Sequence, residues 1–436
     1  MYRNLVIAVL LGALALRVAA ACWWERRLPD GVRFGFGDSE SYWVLAKTIA
    51  RGEPYQMGPD RRVFRTPGYP LLLAGLFVFA GDEPPVLWAR MLNAVLGTVA
   101  VAGVMVLARL LFDRQTALLA GLIASVYPEG IMASALVLTE APFGPFLLLH
   151  LILWVLASRA SRLSAAIWLG VGGGLAAGVA TLIRPSWLLF TPFALVLAFP
   201  WRRQVWIGAA MLAGLCAVMA PWWIRNAHVV GTFVPTTLQV GESLYDGWHP
   251  AATGASDMRF VDEFRRQLRD EDARRPLVPG DEASFEERLD QRMRDAACRW
   301  ARENPGRALA LAGTKFLRMW NLWPNEPSLR QGPGAFIVML GYVPVLVAAL
   351  GGAYWFGIRG WPFRLCLLPA VYFTCLHVVF VGSIRYREPA MLPLIVLAAG
   401  FAGSWLWKGQ PRRPGRSQCG AAAPGRMDAE EEHTAP

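Results

Sequence analysis

Residues 86–112 read VLWARMLNAVLGTVAVAGVMVLARLLF, an apolar run interrupted by two charged residues, Arg90 and Arg109. An α-helix needs about 20 predominantly apolar residues to cross the hydrocarbon core of a bilayer. This stretch is long enough to do so on its own, and it therefore predicts a membrane-spanning helix.

Runs of the same character recur along the whole chain. Of its 436 residues, 55% are hydrophobic and 17% are charged, whereas soluble domains carry roughly a quarter charged residues. We therefore predict an all-α polytopic membrane protein with about ten transmembrane helices. The sixth run is short and depends on its neighbours. The predicted spans are Leu5–Trp24, Val86–Phe112, Thr116–Val137, Ala141–Ala157, Ala165–Leu182, Trp187–Phe199, Val205–Ile224, Ala335–Phe356, Leu365–Val381 and Ala390–Trp407.

The short connections between these runs are basic, and they lie on one side of the membrane if the spans alternate. By the positive-inside rule, this side is the cytoplasm, and both termini lie there. The basic connections are Asp113-Arg114, Arg159 with Arg162, Arg202-Arg203, Arg359 with Arg364, and the tail from Lys408. The net charge of +11 is thus spread between spans, and no nucleic-acid partner is predicted.

Two long polar segments then lie outside the cytoplasm, residues 25–85 and residues 225–334. Together with the spans they form one membrane-embedded domain, residues 1–407. Residues 408–436 are rich in Pro, Gly and Ala and are predicted to be a disordered cytoplasmic tail. A cleaved signal peptide, favoured only by Met1-Tyr2-Arg3 and the small residues before Cys22, is the alternative for the first run.

Both outer loops carry helical patterns. Asp38 precedes an apolar stripe and is placed as the N-cap of its helix, and the prolines and glycine of residues 65–70 predict a turn. Leu71–Ala80 is too short to span and is predicted to lie in the membrane interface. The first stripe is Tyr42, Leu45, Ala46 and Ile49, and the second loop has a stripe of Phe285, Leu289, Met293, Ala296 and Trp300 and a basic amphipathic surface of Leu311, Lys315, Phe316 and Met319.

A glycine cluster, Gly170 through Gly174, lies inside the fifth predicted span. Small residues let helix backbones approach closely in lipid, and no strand-loop-helix pattern for phosphate binding surrounds them. We therefore predict close helix packing at these glycines.

Ionisable residues at the outer ends of spans are the candidates for a functional site, because such groups are costly at membrane depth. Each also has a structural alternative. Asp38 can serve only as a helix N-cap, and Glu140 only as a first-turn acid with Thr139 as the cap before it. The arginines can extend to the interface. The candidates are Asp38, Arg65, Glu140, Arg184, Arg225, Asn226, Arg385, Arg387 and Glu388.

Acids and arginines meeting at one cavity suit transfer from a lipid-linked phosphate sugar. The phosphate departs as a stabilised anion, so the reaction needs no general acid, in contrast to glycoside hydrolysis. It needs a carboxylate near the acceptor hydroxyl and fixed cations around the phosphate. Arginine suits the second task because its planar fork pairs with phosphate oxygens.

At these positions the sequence resembles the GT-C glycosyltransferases, in particular bacterial relatives of dolichyl-phosphate-mannose protein mannosyltransferases and of the aminoarabinose lipid A transferase. The resemblance extends over residues 1–407 as a series of short motifs in matching order. The motifs are Gly37-Asp38-Ser39-Glu40-Ser41-Tyr42, Arg65-Thr66-Pro67-Gly68-Tyr69-Pro70, Arg90-Met91-Leu92-Asn93, Tyr127-Pro128, Leu138-Thr139-Glu140, Arg184-Pro185, Pro221-Trp222-Trp223-Ile224-Arg225-Asn226 and Arg385-Tyr386-Arg387-Glu388-Pro389.

The resemblance implies a GT-C fold in a bacterial inner membrane, with an active site on the extracytoplasmic face. It implies Asp38 as the catalytic base and Glu140 as a second acidic site residue. The implied donor-phosphate ligands are Arg65, Arg225, Arg385 and Arg387, and the supporting residues are Tyr42, Tyr69, Arg184, Asn226 and Tyr386. Two departures from the family are expected: a C-terminal soluble domain is not predicted after the last span, and the second outer loop is unusually charged.

The expected partners are a polyprenyl-phosphate sugar donor, a lipid, glycan or protein acceptor, and membrane lipids. No metal-ligand spacing and no cysteine framework is visible, so no cofactor is predicted and a divalent cation stays an open alternative. Two other functions remain alternatives. A polysaccharide polymerase or ligase would use a lipid diphosphate with loop arginines and His249, and a lipid-linked sugar transporter or flippase would place charges mid-span.

Overall fold

The computed structural model describes residues 1–198, 202–274, 284–325, 333–357 and 359–407, and every regular element in these ranges is a helix. The predicted tail 408–436 lies outside the described residues. The helices are α1 (Tyr2–Arg27), α2 (Gly37–Ala50), α3 (Gly68–Ala80), α4 (Val86–Leu111), α5 (Arg114–Val126), α6 (Pro128–Ala135), α7 (Glu140–Arg159), α8 (Leu163–Ile183), α9 (Phe190–Ala198), α10 (Arg202–Val230), α11 (Val240–Gly247), α12 (Phe260–Arg274), α13 (Phe285–Glu303), α14 (Pro305–Met319), α15 (Pro333–Gly357), α16 (Trp361–Val379) and α17 (Glu388–Leu406), with 3₁₀ turns at Pro185–Trp187 and Ile384–Arg387.

Eight of these helices are long and apolar enough to cross a membrane: α1, α4, α7, α8, α10, α15, α16 and α17. The all-helical membrane fold is therefore confirmed. The predicted third span is instead a bent pair, α5 and α6, whose axes differ by 55°. The predicted sixth span is a short apolar segment, Pro185–Ala198.

The bend between α5 and α6 has a local cause. Pro128 has no N–H, so the carbonyl of Ala124 loses its donor four residues later. The guanidinium of Arg17 replaces it from α1, with Nη2 donating to the Ala124 oxygen at 3.1 Å and Nη1 to the Ser125 oxygen at 3.4 Å. Arg17 is 3% exposed. A buried arginine inside a predicted span thus satisfies backbone groups freed by a proline.

The glycines of α8 confirm the predicted close packing. A side chain added to Gly174 would overlap the backbone of Met211, and one added to Gly170 would lie 3.0 Å from the Ile207 oxygen. Residue numbers rise together along the two helices, so α8 and α10 run parallel. The chain between them must therefore return to the side from which α8 started, as the predicted alternation requires.

The two long loops fold onto each other. In the first loop, α2 packs on α3 through Tyr42 and Tyr69, whose ring centroids are 5.3 Å apart. The backbone N–H groups of Arg62 and Val63 donate to the Glu286 carboxylate of the second loop, at 2.7 and 3.0 Å. The two loops therefore form one connected layer over the helix ends.

One predicted surface is wrong in part. Leu311, Lys315 and Met319 are buried, with the Lys315 ammonium donating to the Val379 oxygen at 2.8 Å. The exposed apolar face of α14 is formed instead by Leu309, Phe316 and Leu317. The 3.6-residue period predicted an amphipathic helix correctly, but it does not say which face meets the protein.

Candidate active site

Asp38 lies in the first turn of α2, and its side chain faces Arg65. The N-cap is Phe36, and no side chain caps the helix, so the interpretation of Asp38 as an N-cap is wrong. Its carboxylate instead accepts a hydrogen bond from Arg65 Nη2 at 2.8 Å. The Asp38 side chain is 47% exposed, which leaves it accessible to a substrate.

Arg65 is held in place from three sides. Its Nε donates to Ser41 Oγ at 3.1 Å, and its Nη1 donates to Gln239 Oε1 of the second loop at 2.9 Å. The guanidinium lies 5.1 Å from the centre of the Tyr42 ring. Burial raises the pKa of Tyr42, so this phenol stays neutral beside the cation.

Glu140 is the buried counterpart of Asp38. It begins α7 and is 3% exposed. Thr139 occupies the predicted N-cap position, but its side chain makes no capping hydrogen bond. One carboxylate oxygen, Oε1, accepts from Arg385 Nη2 at 3.0 Å and lies 3.4 Å from Arg184 Nη1.

Arg385 joins the two acids. While two of its nitrogens contact Glu140, its Nη2 also lies 3.9 Å from Asp38 Oδ2. Tyr386, the next residue, lies under the Arg184 guanidinium, 5.7 Å from it. The result is a cluster of three guanidinium groups and two carboxylates, and its excess positive charge suits an anionic ligand.

Two predicted phosphate ligands lie in other clusters. Arg225 donates to the Arg62 oxygen at 2.9 Å and to the Tyr55 oxygen at 2.5 Å, which ties α10 to the first loop. Asn226 is fully buried beside it. This pair reaches the site indirectly, because the Tyr55 hydroxyl donates to the Arg65 oxygen at 3.1 Å.

Arg387 is fully buried and its hydrogen-bonding groups are occupied. It pairs with Glu129 on α6 and donates to the Met319 oxygen at 3.3 Å. Its guanidinium carbon lies 3.5 Å from the centre of the Tyr342 ring. These contacts join α6, α14, α15 and α17, and they leave Arg387 facing away from the Glu140 oxygens that Arg385 contacts.

Several site residues were missed from the sequence. Gln239 and Ser41 hold Arg65, and no local pattern marks either of them. His377 could have been found as an ionisable residue at the outer end of a span. Its ring stacks on Tyr386 at 4.0 Å, with the planes 5° apart. His249, the histidine singled out earlier, stacks on Tyr245 in the second loop instead.

No group of three or more His, Cys, Asp or Glu side chains in the described ranges is placed to hold a metal ion. Asp38 and Glu140, the two acids of the site, each contact arginine instead. The charges of this cluster are therefore paired by guanidinium groups within the chain itself.

Comparison with known proteins confirms the fold. Residues 65–224 match the family model described as dolichyl-phosphate-mannose-protein mannosyltransferase. The structure is similar to the oligosaccharyltransferase of Archaeoglobus fulgidus in the apo form, with a TM-score of 0.57 and 16% sequence identity over 94% of this chain. The same enzyme in complex with an inhibitory peptide and a dolichol-phosphate gives a TM-score of 0.56 and 17% identity, covering 93% of this chain and 50% of that one.

The chain spans about half the length of this archaeal oligosaccharyltransferase, 51% in the apo form. ArnT from Cupriavidus metallidurans bound to undecaprenyl phosphate is also similar, with a TM-score of 0.46 and 14% identity over 91% of this chain and 77% of that one. No curated protein matches the sequence significantly. The predicted resemblance to the GT-C glycosyltransferases is confirmed, and the chain has their fold.

Proposed function

We propose that this protein is a glycosyltransferase that moves a sugar from a polyprenyl-phosphate donor to an acceptor on the outer face of a bacterial inner membrane. The observation that carries this proposal is the Asp38–Arg385–Glu140 bridge, with Arg65 and Arg184 on its two sides. The matched mannosyltransferase family and the dolichol-phosphate complex of the archaeal relative support a lipid-phosphate donor.

In the proposed reaction, the acceptor oxygen forms a bond to the anomeric carbon of the sugar. The bond from that carbon to the phosphate oxygen breaks, and the polyprenyl phosphate leaves with the electron pair. Asp38 takes the acceptor proton, because its carboxylate is half-exposed at the mouth of the cluster. The arginines stabilise the negative charge that grows on the leaving phosphate.

The arginines of the site have separate tasks in this proposal. Arg385 and Arg184 are the principal phosphate ligands because both lie beside Glu140 at the buried end. Arg65 orients Asp38 through its hydrogen bond at 2.8 Å and completes the cationic wall. Tyr42, Tyr69 and Tyr386 position these groups through ring contacts. Arg225, Asn226 and Arg387 act by holding loops and helices in place.

The acceptor is a hydroxyl or phosphate group of a lipid, glycan or protein that reaches the exposed Asp38. The exposed apolar face of α14 suits contact with the outer leaflet. The buried arginine pairs at the outer span ends favour a transferase over a transporter, since transporters keep their charges in broken helices near the midplane.

The transfer itself is tested with purified protein and radiolabelled polyprenyl-phosphate sugars, followed by intact-lipid mass spectrometry of envelope glycolipids with and without the protein. We expect a sugar-sized mass increase on one acceptor class and release of polyprenyl phosphate. If no polyprenyl-phosphate sugar is consumed, while a lipid diphosphate sugar is, the polymerase or ligase alternative replaces this proposal.

The orientation is tested by labelling single cysteines at Ser256 in the second outer loop and at Ser161 between α7 and α8, both exposed. The background should lack the native cysteines, above all the partly exposed Cys298 of the second loop. An impermeant reagent should label only the Ser256 variant in intact cells. Equal labelling of the two variants would contradict the proposed orientation.

A further inference from the structure

A small cavity lies behind Glu140, inside the helix bundle. It is enclosed by α1, α4, α5, α6, α7 and α17, and its polar lining includes Arg17, Ser134, Glu140 and Glu388. The cavity measures about 10 Å³, which is room for about one water molecule. Glu140 lines this cavity and also contacts Arg385 of the site.

Two carboxyl oxygens in the lining are buried without a hydrogen-bond partner. They are Oε2 of Glu140 and Oε2 of Glu388, and the two residues are 3% and 6% exposed. The other oxygen of Glu140 is occupied by Arg385 and Arg184. A buried charged oxygen without a partner is costly, so both groups need either a proton or a bridging water.

No cation pairs with Glu388 within the described ranges. Arg17 lines the same cavity. Its Nη groups donate to the backbone oxygens of Ala13, Ala124 and Ser125, and its Nε is buried without a hydrogen-bond partner. Arg184 and Arg385 are engaged by Glu140. The charged and titratable groups around the Glu388 carboxyl are Glu140, Arg184, Glu129, Arg17 and Tyr127, with Arg385 and Arg387 on its own segment.

Two buried carboxylates that share a site do not both ionise, because their repulsion is strong in a low dielectric. Glu388 does lie in the first turn of α17, where the helix dipole favours an anion by about 0.3–1 kcal/mol. This is less than the several kcal/mol that an unpaired buried charge costs. At neutral pH the pair of Glu140 and Glu388 therefore holds one proton.

We propose that Glu140 and Glu388 share a single proton across this cavity, through one bridging water, and that Glu388 thereby acts as a positioning residue for Glu140. A neutral Glu388 donates toward Oε2 of Glu140 and keeps Oε1 on Arg385 and Arg184. It also preserves the excess positive charge of the cluster. This inference rests on the proposed function, because Glu140 belongs to the site that binds the donor phosphate.

The shared proton is tested by infrared spectroscopy of the purified protein, without any substrate. At neutral pH we expect the carbonyl stretch of a protonated carboxylic acid, which Glu388→Gln removes. Glu140→Gln should shift the frequency of this band, because the carboxylate that accepts from Glu388 through the water is replaced by a neutral amide. Glu286→Gln is the matched control, since it changes a buried carboxyl outside the cavity. It can remove only its own band, and the band that Glu388→Gln removes should stay in place.

Two infrared results would overturn the proposal. If Glu388→Gln leaves the spectrum unchanged, Glu388 is ionised. If the band keeps its frequency in Glu140→Gln, Glu388 holds a proton of its own and nothing is shared. The spectra do not depend on catalysis, so failure of the proposed transfer activity would be seen separately, as absence of turnover with every polyprenyl-phosphate sugar.

A kinetic measurement tests the positioning role. In the parent protein we expect the KM for the donor to rise several-fold as alkaline pH removes the shared proton, because the second negative charge opposes phosphate binding. Glu388→Gln keeps a neutral hydrogen-bond donor and should flatten this rise. A purely structural Glu388 would lower stability and leave the pH profile of KM unchanged, and that result would contradict the proposal.

Discussion

Arg385 and Arg387 lie in the same 3₁₀ turn, yet their surroundings differ in kind. Arg385 is partly exposed and touches both acids of the site at their outer edge. Arg387 is fully buried, and its partners Glu129, Met319 and Tyr342 come from three other helices or their ends. Two arginines with equal standing in the sequence thus belong to two clusters, one open to a ligand and one closed.

The difference shows what makes a charged cluster suitable for binding. The Arg387 cluster has no open side and already satisfies its cation, so a phosphate would have to displace Glu129. In the Arg385 cluster, three guanidinium groups serve two carboxylates, and Asp38 is half-exposed. An excess of cations with access from outside distinguishes the site from the structural ion pair.

The largest expected effect is on catalysis at the open cluster. Asp38→Asn preserves the size of the side chain but cannot accept the acceptor proton, so the transfer rate should fall about 10²–10⁴-fold. Because Asp38 does not cap α2, the thermal stability should stay close to that of the parent. Rate and thermal unfolding are measured on the same preparations. Near-normal transfer would move the base to Glu140 or to the substrate.

Substitution in the closed Arg387 cluster should lower the stability of the protein. Arg387→Gln leaves the Glu129 carboxylate buried without its cation, which costs about 3–5 kcal/mol in comparable buried pairs. Thermal unfolding in detergent should show a large loss. The matched control is Arg162→Gln, which removes an exposed arginine from a connection between spans and should change little. Equal stability of the two variants would show that the Arg387 cluster is not structural.

A smaller, pH-dependent effect is expected where the two outer loops meet. Burial raises the pKa of Glu286 to about 7, above its unfolded value. The folded state therefore favours the protonated carboxyl, and this stabilisation is present below about pH 4.5 and is lost as pH rises through 7. The change is on the order of 2–3 kcal/mol. Glu286→Gln should remove the dependence of thermal stability on pH between pH 5 and 8 that comes from this one carboxyl. If the slope of stability against pH is unchanged in the variant, Glu286 is not its source.

The fold was predictable because a membrane span is recognised from its length and its apolar residues alone. Eight long helices match predicted apolar runs, since an α-helix satisfies its backbone hydrogen bonds within the segment that crosses the lipid. Two runs are exceptions. One is the short segment Pro185–Ala198, and the other is the run containing Pro128, where the chain bends and Arg17 supplies the missing donor. This hydrogen bond joins residues more than a hundred positions apart in the sequence, so no local pattern predicts it.

The sequence predicts which ionisable residues belong to the candidate site, but it does not predict which residue each arginine contacts. Ionisable residues at span ends were identified because lipid makes them costly, and this rule selected Asp38, Glu140 and Arg385. It could not separate Arg385 from Arg387, because both satisfy it equally. The partner of each arginine depends on the packing of distant helices, as Gln239 beside Arg65 also shows.

The central claim, that Arg385 binds the donor phosphate and Arg387 does not, is tested by direct binding of polyprenyl phosphate to purified protein. Lysine at either position keeps the charge and loses the planar fork. We predict that Arg385→Lys weakens binding at least about tenfold, or about 1.4 kcal/mol, and that folded Arg387→Lys binds like the parent. Unchanged binding by Arg385→Lys, or an equal loss in both folded variants, would contradict the account.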